Sequence, residues 1–135
     1  MPPPPDRNVF QMPFAPRPGD IDELGHVNNA VYVRWLQDVA TAHWVKLASP
    51  ADVARYLWVA TRHEIDYHRA ILPDETVTAR TWVGDPKGAR FDRFVEFVDD
   101  QGRIRAAART TWAIIDRKTG KPLRVPRELT EPFVR

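Results

Sequence analysis

The stretch Asn29 to Leu47, reading NAVYVRWLQDVATAHWVKL, decides the fold. Val33, Leu36, Ala40, Trp44 and Leu47 recur at helical spacing, and Tyr32, Trp35, Val39 and His43 widen that face. Arg34, Gln37, Asp38 and Thr41 leave only a narrow polar stripe. A helix with so little polar surface is mostly buried. Asn28 or Asn29 supplies a good N-cap. The Ser49-Pro50 pair then starts a second, shorter helix, running to about Tyr56.

Downstream the period changes to two. Val59 to His68 places Val59, Thr61, His63, Ile65 and Tyr67 on one strand face and Ala60, Arg62, Glu64, Asp66 and His68 on the other. Thr76 to Val83 and Arg90 to Val98 follow as strands, the latter with Phe91, Val95 and Phe97 sharing a face. Ile104 to Asp116 is a long last strand, and a short helix starts after Pro126. Asp85-Pro86-Lys87-Gly88 and Asp99-Asp100-Gln101-Gly102 are turns. Four successive strands with tight turns predict an antiparallel meander. Upstream, Asn8 to Ala15 is an edge or irregular strand, because Pro13 and Pro16 cannot serve a central ladder. The expected class is therefore α+β, one antiparallel sheet wrapped around one long central helix.

Composition narrows the chemistry. The 135 residues, 43% hydrophobic and 28% charged, suit a single domain, expected to span 8–135 after a disordered Pro-rich leader over 1–7. The leader has neither a positive n-region nor an apolar core, so it does not read as a signal peptide. No cysteine is present, which excludes disulfides, a thiolate nucleophile and Cys-built zinc sites. The single serine, Ser49, is spent as a helix cap. Any hydrolytic chemistry falls to carboxylates, histidines, Asn or backbone amides. The four histidines show no metal-ligand spacing, so no metal is expected. His63 and His43 read as packed core histidines rather than ligands. Net charge is +2 with both signs interspersed, so a nucleic-acid partner is not expected. No segment reads as membrane-spanning, and a cytoplasmic protein is the default expectation.

The densest polar cluster, Asp20 to Asn29, lies immediately before the buried helix. Unpaired amides and positive partial charge at a helix N-terminus can hold a developing oxyanion. Asp22 places a carboxylate near that end, and Gly25 permits a tight turn there. The same residue types are also ordinary loop and capping residues.

Asp20-Ile21-Asp22-Glu23-Leu24-Gly25-His26-Val27-Asn28-Asn29-Ala30-Val31-Tyr32 resembles the D-x-D-x-x-G-H-V-N-N-x-x-Y signature of the 4-hydroxybenzoyl-CoA thioesterase-like family of hotdog-fold acyl-CoA thioesterases. Val33 to Gln37, Glu64 to Tyr67, Asp74 to Val77, Asp100 to Gly102, Asp116, Gly120, Pro122 and Val125-Pro126 fit it as well. The resemblance implies a hotdog fold, a homodimer or homotetramer with active sites at the subunit interface, and metal-free hydrolysis of an acyl-CoA substrate without a cofactor. By position, Asp22 matches the catalytic carboxylate, as nucleophile or general base. Asn29 matches the residue whose backbone N–H polarises the thioester carbonyl. His26 has a counterpart in plant acyl-carrier-protein thioesterases, but Leu24 stands where those carry an asparagine, leaving His26 an orienting role. Lys87, Arg90 and Arg124 align with CoA phosphate contacts, and alternation adds Arg93. The alternatives are a non-catalytic acyl-thioester-binding hotdog protein and an acyl-carrier-protein thioesterase; a hotdog hydratase fits less well.

Overall fold

The computed structural model describes residues 3–134. The chain runs β1 (Phe10–Phe14), a 3-10 turn (Pro18–Asp20), α1 (Asn29–Leu47), α2 (Pro50–Arg55) and β2 (Tyr56–Tyr67). It continues with β3 (Val77–Val83), β4 (Arg90–Val98), β5 (Ile104–Asp116), α3 (Arg127–Thr130) and a closing 3-10 turn (Glu131–Phe133). The expected helix limits of α1 are met. Asn28 caps it, its side chain accepting from the Ala30 N–H at 2.9 Å. Ser49 caps α2 in the same way, accepting from the Asp52 N–H at 3.1 Å.

The five strands form one antiparallel sheet in the order β1-β3-β4-β5-β2. This corrects the expected meander. β3, β4 and β5 are successive neighbours, but β2 pairs with β5 and sits at the far edge. The reason lies in the nine-residue connection His68 to Thr76. β3 is three strand spacings from β2, about 14 Å, and nine extended residues reach about 30 Å. The connection crosses the end of the sheet and buries Ile71 completely beneath the start of α1. β1 fills the edge of β3 that β2 would otherwise have taken.

A second correction concerns β2 itself. Its register with β5 slips between Ala60 and Arg62, so Thr61 is the extra residue of a β-bulge. The bulge inverts the alternation. His63 and Ile65 face the helix, whereas Val59 is exposed on the other side.

The core lies between α1 and one face of the sheet, in two clusters. Tyr32, Trp35, Leu36 and Val39 pack with Ile71, Val77, Val95 and Phe97 around the first half of the helix. Trp44 packs with Tyr56, Val83, Phe91, Ile114 and Phe133 around the second half. The opposite face carries ion pairs, Arg80 to Glu96 at 2.6 Å and Arg109 to Glu64 at 3.1 Å, beside stacked Trp82 and Phe94. Pro4 borders the same depression as Trp82. Arg7 forms a bridge with Val134 and an ion pair with Asp85, and the Asn8 N–H donates to the Phe133 carbonyl at 2.9 Å. Arg7 is thus anchored to the C-terminal segment; Met1 and Pro2 lie outside the described residues.

Among the described residues no helix is long and apolar enough to cross a membrane. None of their acidic groups and histidines cluster as a metal site.

Candidate active site

The loop from Ile21 to Val27 closes on itself. Ile21 and Val27 form an antiparallel bridge, and the Asp22 N–H donates to the His26 carbonyl at 2.8 Å. The Gly25 N–H returns to the Asp22 carbonyl at 3.0 Å, with Gly25 at φ 79°. That left-handed geometry is open to glycine at little cost. The turn fixes the Asp22 carboxylate. Its Oδ1 accepts the backbone N–H of Leu24 at 2.9 Å and of His26 at 3.2 Å. Its Oδ2 has no hydrogen bond among the described residues, which leaves one oxygen held and one available.

Asp20 anchors this loop to the helix. It is nearly fully buried, accepts the Arg17 N–H at 2.8 Å, and takes both Arg34 guanidinium nitrogens at 2.8 and 3.1 Å. The Arg34 hydrogen bonds hold the Asp20 carboxyl below its usual range. The Asp20 carbonyl accepts the Asn28 N–H at 2.8 Å, carrying the anchor into the cap of α1.

Asp22, His26 and Asn29 border one open cleft of about 440 Å³ with Asn28, Tyr32 and Tyr67. The expected trio is therefore brought together. The Asn29 N–H has no acceptor among the described residues, as befits a first-turn helix amide. The Tyr67 hydroxyl donates to the Asn29 carbonyl at 3.2 Å, tying the helix start to the end of β2. Burial pushes the Tyr32 phenol up to about 12, so it stays protonated at neutral pH.

His68, Arg69 and Ala70 complete the cleft wall, and the sequence reading missed all three. Their backbone is held by Arg105, whose carbonyl accepts the N–H groups of His68 and Arg69 at 2.9 and 3.0 Å. The Arg105 guanidinium grips the Ala70 carbonyl at 2.7 Å, Glu75 at 2.7 and 3.1 Å, and Asp99 at 2.9 Å. These bonds hold Glu75 and Asp99 below the usual carboxylate range; for Asp99 the backbone N–H of Arg103 contributes most. A basic pair closing a strand, His68-Arg69, was the available signal.

The basic candidates lie elsewhere. The Val125 N–H donates to the Gly88 carbonyl at 2.8 Å, which places Arg124 beside the Lys87–Arg90 turn. The three cations thus share one exposed corner, but it adjoins the second core cluster, at the C-terminal end of α1. A 19-residue helix spans about 28 Å, so within one chain this corner is remote from Asp22. Arg93 is corrected outright. It points inward on β4, 7% exposed, donating to His43 Nδ1 at 2.8 Å and Thr81 Oγ1 at 3.1 Å. The alternation that keeps Phe91, Val95 and Phe97 inward carries Arg93 with them.

Residues 16–133 match the family profile of the thioesterase-like superfamily. The fold is similar to that of YbaW, a probable thioesterase from Escherichia coli, at 26% identity and a TM-score of 0.76, covering 90% of this chain and 94% of that one. It is also similar to a 4-hydroxybenzoyl CoA thioesterase mutant complexed with 4-hydroxybenzoyl CoA, at 17% identity and a TM-score of 0.81, covering 93% and 98%. A DHNA-CoA thioesterase from Staphylococcus aureus aligns at 23% identity and a TM-score of 0.76, over 86% and 80%. No match is found among curated proteins. With the profile spanning nearly the whole chain and a five-stranded sheet carrying one long helix, the chain belongs to the thioesterase-like superfamily of hotdog-fold thioester hydrolases.

Proposed function

We propose that the chain hydrolyses acyl-CoA thioesters at the Asp22 cleft: R–CO–S–CoA and water give R–COOH and CoA–SH. The observation that carries this reading is the state of the Asp22 carboxylate. Two backbone amides hold Oδ1, while Oδ2 makes no hydrogen bond among the described residues, and Asp22 and Asn29 border one cleft. A thioester is already an activated acyl group. Its carbonyl oxygen, set on the first-turn amide of α1, gains stabilisation as negative charge develops. Oδ2 then either takes the proton of an attacking water or attacks the carbonyl carbon itself to give a mixed anhydride that water opens. Both routes release the thiolate of CoA, which is protonated from solvent.

His26 donates its backbone N–H to Asp22 Oδ1 and borders the same cleft, which supports an orienting role for it. Arg69, which lines the cleft, offers a cation for a CoA phosphate within one chain. Lys87, Arg90 and Arg124 serve that role only across a second copy. β2 favours such an assembly: it is twelve residues long, hydrogen-bonded on one side only, and exposes Leu57 and Val59. A long unpaired edge of this kind is a template for another chain.

The test is thiol release from a panel of acyl-CoA esters of varied chain length and aromatic character, with Asp22→Asn and Asp22→Ala alongside. Loss of most turnover in folded variants is expected. Wild-type turnover in either variant removes Asp22 from the mechanism. Saturable binding of the whole panel with no thiol released leaves a binding protein instead.

A further inference from the structure

A second cavity, of about 200 Å³, lies between the C-terminal half of α1, α2 and the inner sheet face. No residue bordering it borders the Asp22 cleft. Its walls are aromatic: Trp44, Tyr56, Trp58, Phe91, Trp112 and Phe133. Two features of this apolar space are unbalanced.

The first is Arg93, which lines it from below. A guanidinium has five N–H donors and no acceptor. Both hydrogens of Nη1 are used, on His43 Nδ1 and Thr81 Oγ1. Because arginine only donates, His43 Nδ1 must be the unprotonated nitrogen, and Nε2–H donates to Asn8 Oδ1 at 2.9 Å. Nε and Nη2 of Arg93 make no hydrogen bond among the described residues, and no carboxylate there pairs with it. Burial pulls Arg93 down to about 9, so it remains a cation at neutral pH. A buried, uncompensated cation is costly unless something pairs with it. The second feature is the Trp112 indole N–H, buried in the same wall with no partner. Arg117, at the rim, adds a further positive charge.

We propose that this cavity binds a small carboxylic acid with a compact apolar, preferably aromatic, body. The carboxylate pairs with the unused edge of the Arg93 guanidinium, and the ring packs among Trp44, Trp58, Phe91 and Phe133. The volume admits a single ring. Neutral apolar molecules leave Arg93 unpaired. The proposal stands independently of thioester hydrolysis at Asp22.

The test titrates the intact protein with phenylacetate and with its neutral isostere phenylacetamide, following tryptophan fluorescence and calorimetric heat. Saturable binding of phenylacetate is expected, roughly tenfold or more tighter than the amide. Arg93→Met is expected to erase that preference. Thr41→Trp, at an exposed position on the rim, is expected to block both probes without touching the buried network. It keeps the proposal testable if Arg93→Met does not fold. Asp22→Asn is expected to leave phenylacetate binding unchanged. The proposal is overturned by no saturable binding in the millimolar range, by equal affinity for acid and amide, by undiminished binding in Thr41→Trp, or by loss of binding in Asp22→Asn.

Discussion

Arg34, on the second turn of α1, grips both carboxylate oxygens of Asp20, two residues before the Asp22 turn, at 2.8 and 3.1 Å. The pair welds the loop to the helix whose first residue, Asn29, borders the cleft. Asp20 is buried and Arg34 partly exposed, so removing the arginine strands a buried carboxylate. Arg34→Met is expected to cost about 1–3 kcal/mol of stability. If Asp20 positions Asp22, kcat falls with KM little changed, and Arg34→Lys restores part of it. Urea unfolding and steady-state kinetics check both; unchanged kcat in a destabilised protein confines the pair to folding.

The Asp22 turn depends on Gly25 at φ 79°. The space around it is open, so a methyl group meets no neighbour. Gly25→Ala therefore isolates the backbone term, a left-handed residue with a Cβ, at about 1 kcal/mol. Because the Gly25 and His26 amides help to close the turn on Asp22, activity is expected to fall more than stability does. Thiol-release assays beside thermal unfolding give the comparison.

Glu75 secures the far wall of the cleft. It accepts two Arg105 nitrogens at 2.7 and 3.1 Å and the Leu72 N–H at 2.9 Å. Glu75→Gln removes the charge while keeping the shape. Faster hydrogen exchange at Leu72 and at Val27, whose N–H donates to the Ile71 carbonyl, is the expected signature. KM is expected to rise several-fold with kcat nearly intact, since His68 and Arg69 line the cleft without hydrogen-bonding the Asp22 side chain. The folded state holds Glu75 and Asp99 below the ordinary carboxylate range. Their contribution is present at neutral pH and is lost as pH falls through that range. The variant should therefore lose stability less steeply in acid.

How much of this was legible in the sequence follows from how local each feature is. The limits of α1 and the Ser49-Pro50 start of α2 rest on short-range periodicity and capping chemistry and stand as read, and of the two asparagines read as caps Asn28 takes the role. Asp22, His26 and Asn29 converge because they lie within one short stretch at the entry to a single helix. The position of β2 was not legible, because it depends on β1 occupying the edge of β3. Nor was the bulge at Thr61, a single extra residue in an otherwise regular alternation. His68 and Arg69 are held at the cleft wall by backbone hydrogen bonds to Arg105, remote from them in sequence. Arg93, added as a phosphate contact, shares the strand parity of Phe91, Val95 and Phe97 and therefore points inward with them.

His43 gives the clearest pH signature. It is fully buried, stacked with Phe10 at 5.2 Å and edge-on to Phe133 at 4.8 Å. Burial first, then Arg93 and Lys46, pull it down from 6.5 to about 3. The folded protein therefore keeps His43 neutral where the unfolded chain protonates it. Its contribution is complete above pH 6.5 and declines as pH falls from there to about 3. The expected slope is about 1.4 kcal/mol per pH unit within that window. Protonation would also place a hydrogen on Nδ1, where Arg93 donates, so the two cations would collide. His43→Gln stays neutral in both states. It should be less stable than wild type at pH 8 and show a flatter stability curve below pH 6.5. Urea unfolding at intervals from pH 4 to pH 8 measures both curves. Parallel curves would mean that His43 takes up a proton in the folded state, and that Arg93 does not need its lone pair.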